Sequence, residues 1–183
     1  MPVDASKLAF PESVVVTDQV VDTSTLGPNK RQAFIGLFQR VLERYQAAGM
    51  PRYVVGLVGP TGSGKSVIAS LFDHFASQLK VPFRFASVGI DAYHFTNEYL
   101  NAHTVDGGPM KAVKGRYDTY DVVKLARTLS SFRAGRNVKF AVYSRAAHDP
   151  VEDVIDVAQA HVLLLLEGCG SCMTPRNGSK SGR

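Results

Sequence analysis

Eight consecutive residues of the chain have the types and spacing of a phosphate-binding loop. Glycines in such a loop allow backbone N–H groups to turn toward phosphate oxygens. The lysine can reach the β- and γ-phosphates of a nucleotide, and the serine after it can ligate Mg²⁺. A glycine-rich turn that binds nothing is the alternative. The residues that we expect to contact a nucleotide are Gly59, Pro60, Thr61, Gly62, Ser63, Gly64, Lys65 and Ser66, followed by Val67.

The segments on both sides of this loop have the patterns that the motif requires. Residues 52–58 form a short, β-branched run typical of a buried strand, and residues 67–72 are the apolar opening of a helix. A strand, a glycine-rich turn and a helix in that order favour a working phosphate site. A helix that begins near Gly64 adds the positive end of its dipole to that site.

Two acidic residues come directly after other predicted strands. Asp91 follows Val88-Gly89-Ile90, and Glu167 follows the apolar run 162–166. Ligands of open α/β sheets bind beyond the carboxyl ends of the strands, so we expect both carboxylates near the phosphate loop. Asp91 could accept the proton of an attacking hydroxyl or hold a Mg²⁺-bound water, and Glu167 could coordinate Mg²⁺ through water. A helix-capping or loop-anchoring role is the alternative for each.

The five histidines give weaker signals. His94 and His148 flank the expected substrate side of the site, although histidines in loops are commonly just exposed to solvent. His74 falls in the helix after the phosphate loop, His103 in a loop and His161 at the start of a strand, and their positions indicate no role.

Composition is that of one well-cored domain that handles anionic ligands. The 183 residues are 45 % apolar and carry a net charge of +5, which suits phosphorylated ligands. The basic residues are scattered, so we expect no nucleic-acid partner. No apolar run reaches membrane-spanning length, and the N-terminus has no hydrophobic signal region, so we expect a cytoplasmic protein without a membrane partner.

Cys169 and Cys172 form a single C-x-x-C pair without further ligands nearby, which indicates neither a metal nor a redox site.

The spacing of apolar residues, and the Gly and Pro residues that end regular segments, predict the helices and strands around these residues. The first 28 residues mix polar and apolar types without a clear pattern, and we expect them to be loosely ordered. Residues 101–116 are expected to form a mobile, partly cationic loop. Asp118 or Thr119 is the expected cap of the third helix. The expected helices start at 29, 64 and 118 or 119, and the expected strands are 52–58, 83–90, 137–143, 152–157 and 161–166. This alternation predicts an α/β fold with a parallel sheet covered on both faces.

Several segments in one order resemble a kinase family. They are 59–66, Asp91-Ala92-Tyr93-His94-Phe95 with Asn97, Lys114-Gly115-Arg116-Tyr117-Asp118-Thr119-Tyr120-Asp121, Ala141-Val142-Tyr143-Ser144-Arg145, and the strand into Glu167-Gly168. Over residues 52–168 the chain resembles the P-loop small-molecule kinases that group uridine kinase, phosphoribulokinase and bacterial-type pantothenate kinase. It departs from the family pattern at Ala92, Tyr117 and Arg145, where Gly, Pro and, in pantothenate kinases, His are usual.

The resemblance implies a P-loop NTPase fold of the nucleoside-kinase type and a Mg²⁺-dependent transfer of the γ-phosphoryl group of ATP to a hydroxyl of a small metabolite. It implies Asp91 as the general base, with Lys65 and Ser66 on the phosphates and metal and Glu167 assisting Mg²⁺. The acceptor is expected to contact Tyr93, His94, Lys114, Tyr143 and Arg145, under a cover formed by residues 101–117.

The chain divides into an N-terminal segment and helix at 1–50, a kinase core at 51–168 and an atypical tail at 169–183. Kinases of the family continue past the equivalent of Glu167 into a lid that carries arginines, so we expect the C-terminal part of the fold to be lacking. Codons read one nucleotide earlier permit a sequence after Gly168 that is similar to the family's. We therefore interpret the tail as a frameshift or a faulty gene model, with natural truncation as the alternative.

Three functions follow from these residues. The leading one is a kinase that acts on a nucleoside-, pantothenate- or sugar-like acceptor. A nucleotide-binding module with impaired catalysis is the second, because arginines that stabilise the transferred group are worth about 10³ or more in rate. The third is a P-loop NTPase that drives a conformational cycle, against which no switch segment is recognisable. A homodimer is compatible with all three.

Overall fold

The computed structural model describes residues 7–16, 19–60, 62–79, 84–158 and 161–168. The helices are α1 (Pro28–Ala48), α2 (Lys65–Gln78), α3 (Asn97–Ala102) and α4 (Val122–Arg133). The strands are β1 (Ser13–Val16), β2 (Gln19–Asp22), β3 (Tyr53–Val58), β4 (Arg84–Gly89), β5 (Thr104–Val105), β6 (Gly108–Pro109), β7 (Val138–Ser144), β8 (Asp149–Val157) and β9 (His161–Gly168). Short 3₁₀ turns cover Ile90–Tyr93, Met110–Val113 and Tyr117–Thr119. The expected tail, 169–183, with its two cysteines, lies outside the described residues.

A three-stranded parallel sheet forms the centre of the fold. The strand order is β3-β9-β4, so the most apolar strand lies in the middle. Leu163 and Leu165 of β9 are buried in one hydrophobic cluster, while Leu164 and Leu166 are buried in another. Because both faces of β9 are covered, its sequence is a continuous apolar run and not an alternating one. The prediction of a parallel sheet is confirmed.

Helices cover the two faces of this sheet. On one face, α1 and α2 contribute Phe38, Phe72 and Phe75, all fully buried. On the other face, α4 contributes Phe132, which packs with Phe140 of β7 at a ring-centroid distance of 6.5 Å. Helices on both faces were expected from the sequence, and this arrangement confirms the α/β fold class.

Strands β7 and β8 form an antiparallel hairpin outside the parallel sheet. Their register pairs Ser144 with Asp149 across the four-residue turn 145–148. Such a short connection can join only antiparallel neighbours, because a parallel pair needs a crossover of a dozen or more residues. The sequence predicted two strands here, but the alternating pattern did not show that they leave the central sheet.

The N-terminal region is more ordered than the sequence suggested. Strands β1 and β2 pair as an antiparallel hairpin, and Val14 of β1 is buried against the α1–α2 side of the core. Thr23, only 1 % exposed, donates its hydroxyl to the Pro11 carbonyl at 2.6 Å. The expectation of a loosely ordered segment is therefore wrong for residues 7–16 and 19–26, because alternate valines in this hairpin have a helix surface to pack on.

The segment expected as a loop contains short regular elements, and the helix after it begins later than predicted. Residues 101–116 include the end of α3, the β5–β6 pair and one 3₁₀ turn. The cap of α4 is Asp121, whose side chain accepts the Lys124 N–H at 2.8 Å. Asp118 instead binds the Arg116 guanidinium, and the Thr119 hydroxyl donates to the Arg116 carbonyl at 2.6 Å. Both predicted caps are thus engaged elsewhere.

Candidate active site

The phosphate loop joins β3 to α2 and has the backbone conformation that its glycines allow. Gly62 and Gly64 have φ of 77° and 83°, values that side-chain-bearing residues rarely adopt. A Cβ placed on Gly59 would lie 2.8 Å from the Ser63 hydroxyl oxygen, so a larger residue at the start of the loop would require the Ser63 side chain to move. The Gly59 N–H donates to the Gly168 carbonyl at 3.2 Å, which ties the loop to the end of β9. Thr61 lies outside the described residues.

The Lys65 side chain is folded back onto the loop. Its Nζ donates to the carbonyl oxygens of Gly59 at 2.9 Å and Pro60 at 2.8 Å. The ammonium group is therefore held against the loop backbone, and phosphate oxygens could replace the two carbonyls as its partners. Val67, two residues further along α2, packs its half-buried side chain against the core, and only its backbone lies in the first helical turn after the loop.

Ser66 and Glu167 are brought together by the parallel register of the sheet. The Ser66 hydroxyl donates to Glu167 Oε2 at 2.9 Å, and the Ser87 hydroxyl of β4 donates to Glu167 Oε1 at 2.6 Å. Glu167 is aligned with Leu57 of β3 and Gly89 of β4, so all three strand ends meet at this carboxylate.

The donor set at Ser66 and Glu167 suits a hard cation. A hydroxyl and a carboxylate are the oxygen ligands that Mg²⁺ accepts while it keeps several waters and binds substrate phosphates. Within the described residues, no group of three or more His, Cys, Asp or Glu side chains forms a self-sufficient metal cage. Such a sparse protein contribution is the usual pattern for a magnesium ion that is bound mainly through a nucleotide.

Asp91 lies one residue into the 3₁₀ turn that follows β4. Its side chain is exposed, and its Oδ1 accepts a hydrogen bond from the Tyr120 phenol at 3.2 Å. The turn places this carboxylate two residues beyond the end of β4, on the side of the sheet where Glu167 ends β9. The strand-end argument from the sequence therefore places both acids at the same edge.

His94 forms the buried wall next to Asp91. Its ring stacks on Tyr120 with centroids 3.8 Å apart, and its Nδ1 lies 3.1 Å from the Thr119 carbonyl oxygen. A carbonyl can only accept, so Nδ1 carries the proton and Nε2 presents a lone pair. Burial is the main cause that lowers the pKa of His94. The imidazole is therefore held neutral near neutral pH.

Lys114 and Tyr143 lie together near His94. The Lys114 Nζ is 5.1 Å from the centroid of the Tyr143 ring, and the Tyr143 ring is 6.1 Å from that of His94. Burial lowers the pKa of Lys114 and raises the pKa of Tyr143. Both groups are thus partly removed from water, as His94 is.

Two residues expected at the acceptor lie apart from this group. Tyr93 is only 2 % exposed and packs in the core between the sheet and α4, where burial raises the pKa of its phenol. Arg145 is exposed in the turn 145–148 between β7 and β8. The structure thus brings His94, Lys114 and Tyr143 together, leaves Arg145 at the rim and gives Tyr93 a packing role.

The sequence indicated no site role for several residues that contact the predicted ones. Ser87 donates to Glu167 and Tyr120 donates to Asp91. The Asn97 side-chain oxygen accepts from both Lys111 and Lys114, and Asp149 accepts the Asn97 backbone N–H at 2.8 Å. The sequence shows that residues 111–116 are cationic. Nothing in that segment distinguishes Lys111 from a lysine that is simply exposed to solvent. Only the fold shows which of these side chains are in contact.

Comparison with known proteins shows sequence relatives and a shared fold. The chain is 32 % identical over 117 residues to the uncharacterized protein YggC of Escherichia coli strain K12, covering 64 % of this chain and 46 % of that protein. It is 27 % identical over 126 residues to a pantothenate kinase of Levilactobacillus brevis, covering 68 % of this chain and 39 % of that protein. The chain thus spans less than half the length of these relatives. No family model matches it.

Solved structures of kinases have the same fold. A putative fructose transport system kinase from Silicibacter sp. TM1040 superposes with a TM-score of 0.62 at 23 % identity, covering 74 % of this chain and 63 % of that one. A possible uridine kinase from Bacillus stearothermophilus gives 0.56 at 16 % identity, covering 77 % and 72 %. In the part of the chain that the structure describes, no helix combines the length and apolarity needed to cross a bilayer.

Proposed function

Because the chain is related in sequence and fold to the P-loop kinases that include bacterial-type pantothenate kinase and uridine kinase, we propose that it binds ATP with Mg²⁺ and transfers the γ-phosphoryl group to a hydroxyl of a small metabolite. The observation that carries this proposal is the convergence of three groups at one edge of the sheet. These are the phosphate loop, the Ser66–Glu167 pair and the Asp91 carboxylate.

The phosphate loop binds the triphosphate in this proposal. Backbone N–H groups at the start of α2 face the phosphate oxygens, and the Lys65 ammonium exchanges the Gly59 and Pro60 carbonyls for the β- and γ-phosphates. Ser66 and Glu167 would hold Mg²⁺, one directly and the other through water. When bound, the ion neutralises charge that develops on the transferred group.

The transfer step needs a base and a fixed acceptor hydroxyl. The acceptor oxygen forms a bond to the γ-phosphorus while the bond from that phosphorus to the β,γ-bridging oxygen breaks, and ADP leaves. The acceptor proton passes to the Asp91 carboxylate, which the Tyr120 phenol orients at 3.2 Å. Positioning and electrostatic stabilisation supply most of the rate in this class of reaction.

His94, Lys114 and Tyr143 form the proposed wall of the acceptor pocket. The neutral His94 presents Nε2 as an acceptor for a substrate hydroxyl, since its Nδ1–H is committed to the Thr119 carbonyl. Arg145 contacts the acceptor from the exposed turn, and residues 101–117 cover the pocket. In this proposal Tyr93 supports Asp91 and His94 from the core side and does not touch the acceptor.

The test measures ADP release and ATP binding with matched variants. Wild-type protein is incubated with Mg²⁺, ATP and a panel of nucleosides, hydroxy acids and sugars, alongside Asp91→Asn and Lys65→Ala. We expect Asp91→Asn to lower acceptor-dependent turnover by about 10²–10⁴ without loss of ATP affinity, because a general base is removed. Lys65→Ala should abolish ATP binding. Asp153→Asn, an exposed change on β8, serves as the control because asparagine tolerates the φ of 57° at that position.

Three results would count against the proposal. Full turnover by Asp91→Asn would remove this residue from the chemistry, and full turnover by Lys65→Ala would remove the phosphate-loop assignment. ATP binding that leads to no transfer with any acceptor would identify a nucleotide-binding module in place of a kinase.

A further inference from the structure

Two lysines converge on one neutral oxygen beside the acceptor pocket. Lys111 and Lys114 both donate from Nζ to the Asn97 side-chain oxygen, with Lys114 at 2.9 Å. Lys114 donates in addition to the His148 carbonyl at 2.6 Å. The two ammonium groups are therefore held next to each other on the wall that also carries Tyr143.

The surroundings of these ammonium groups leave their charge only loosely compensated. Across residues 7–16, 19–60, 62–79, 84–158 and 161–168, neither lysine has a carboxylate oxygen within 4.0 Å. Asp149 and Asp91 act on Lys114 only from a longer range, and Asp149 already accepts the Asn97 N–H. Like charges that share a site disfavour each other, and an anion between them relieves the repulsion.

The same place is partly removed from water. Lys111 and Lys114 are half-buried, and burial is the main cause that lowers the pKa of Lys114. Charge-assisted hydrogen bonds are strongest where competing water is reduced. His94 lies within electrostatic range of Asp91, Lys111 and Lys114. Its ring is 6.1 Å from that of Tyr143, which the Lys114 Nζ approaches at 5.1 Å, so the lysine pair and the proposed base are both close to His94.

We propose that Lys111 and Lys114 form a subsite for a carboxylate group of the acceptor, so that the acceptor is a hydroxy acid. This inference rests on the proposed kinase function and narrows it to a substrate class. The acceptor hydroxyl lies at Asp91 and its carboxylate at the two ammonium groups, which replace part of their contact with the neutral Asn97 oxygen. Lys111 then determines the preference for acidic over neutral acceptors.

An anion at this subsite has two possible sources, the acceptor carboxylate and the γ-phosphoryl group. Binding in the absence of nucleotide separates them, because only the acceptor can then supply the charge. Acetate and glycerate are the carboxylate probes, and acetamide and glyceramide are their uncharged counterparts. Backbone amide shifts in nuclear magnetic resonance titrations report the dissociation constants. We expect each carboxylate to bind at least about tenfold more tightly than its amide.

Variants of Lys111 separate charge from hydrogen bonding. Lys111→Gln keeps an N–H donor for Asn97 but loses the charge, whereas Lys111→Arg keeps the charge. We expect the carboxylate preference to disappear in Lys111→Gln and to persist in Lys111→Arg. Lys139→Gln, an exposed change four residues before Tyr143 on β7, is the control and should keep the preference. Thermal unfolding of each variant checks that it is folded.

The outcomes distinguish this inference from the proposed function. Equal binding of carboxylates and amides, or an unchanged preference in Lys111→Gln, would overturn the carboxylate subsite even if ADP release occurs. An effect of Lys111→Gln seen only with ATP present, and equal for acidic and neutral acceptors, would assign the subsite to the phosphoryl group and overturn the inference as well. A charge-dependent preference without any ADP release would support the subsite and count against the kinase function.

Discussion

At the residue scale, the two carboxylates of the site differ in how firmly they are held. Glu167 accepts hydroxyl hydrogen bonds on both oxygens, from Ser66 and Ser87, whereas Asp91 is exposed and accepts from the Tyr120 phenol at 3.2 Å. A carboxylate fixed by two hydroxyls suits a constant charge near a metal ion, and an exposed one suits proton transfer. The different surroundings thus match the different roles that we propose.

His94 makes the stability of the protein depend on pH. Burial lowers the pKa of this histidine in the folded state, while in the unfolded chain it is about 6.5. Below that pH the unfolded state binds the proton more readily, so the free energy of unfolding falls as the pH drops from about 6.5 through the lowered folded pKa. The contribution of one histidine is at most about 1.4 kcal/mol per pH unit.

Urea unfolding between pH 7 and pH 5 measures this effect. We expect the difference in unfolding free energy between wild type and His94→Gln to change over this range, because the variant lacks the titrating group. His103→Gln, at an exposed site, is the matched control and should follow the wild-type curve. A His94→Gln curve parallel to wild type would show that the buried imidazole does not cause the pH dependence.

At the element scale, helix α4 is anchored to the site by its first residues. Asp121 caps the helix through the Lys124 N–H, and its own backbone N–H donates to the Tyr93 carbonyl at 2.7 Å. Tyr93 belongs to the turn that carries Asp91. The start of α4 is therefore coupled through backbone contacts to the position of the proposed base.

Removal of this cap tests the assignment of the helix start. We expect Asp121→Ala to lower the free energy of unfolding by about 1 kcal/mol, because the N-terminal N–H loses its partner, and Asp121→Asn to retain most of the stability. Denaturant unfolding at neutral pH is the measurement. Asp118→Ala is the comparison, since it removes the contact with Arg116 and no helix cap. Unchanged stability of Asp121→Ala would contradict the assignment of the helix start.

At the scale of the whole molecule, Arg52 holds together segments that are distant in sequence. It is 2 % exposed at the entry to β3, and its guanidinium donates to the carbonyls of Phe132, Arg136 and Ala158. The guanidinium also lies 4.8 Å from the centre of the Phe132 ring. These contacts connect the end of α4 and the end of β8 to the strand that leads into the phosphate loop.

Arg52→Met should destabilise the fold more than loss of an exposed arginine would. We expect the free energy of unfolding to fall by about 3 kcal/mol, because three carbonyl groups lose a charged donor and some of them stay buried. Arg44→Met, an exposed change on α1, is the control and should shift it by less than about 0.5 kcal/mol. Equal stability of the two variants would show that water replaces the Arg52 contacts at little cost.

The sequence alone predicted the parts of this protein whose information is local. The phosphate loop follows from eight adjacent residues, and the burial of β9 follows from an unbroken run of leucines, because such patterns depend on short-range chain geometry. The strand-end position of Asp91 and Glu167 follows from the rule for parallel sheets. The α/β fold class and the helices on both faces could be read in the same way.

Tertiary structure decided what depends on residues far apart in the chain. The pairing of β7 with β8, the serine partners of Glu167 and the meeting of Asn97 with Lys111 and Lys114 have no local signal, because each joins segments that only the folded backbone brings into contact. Tyr93 looked like a substrate contact beside Asp91, yet its side chain was needed for the core. An aromatic side chain such as that of Tyr93 can either pack in the core or contact a substrate, and the sequence alone does not show which of the two it does.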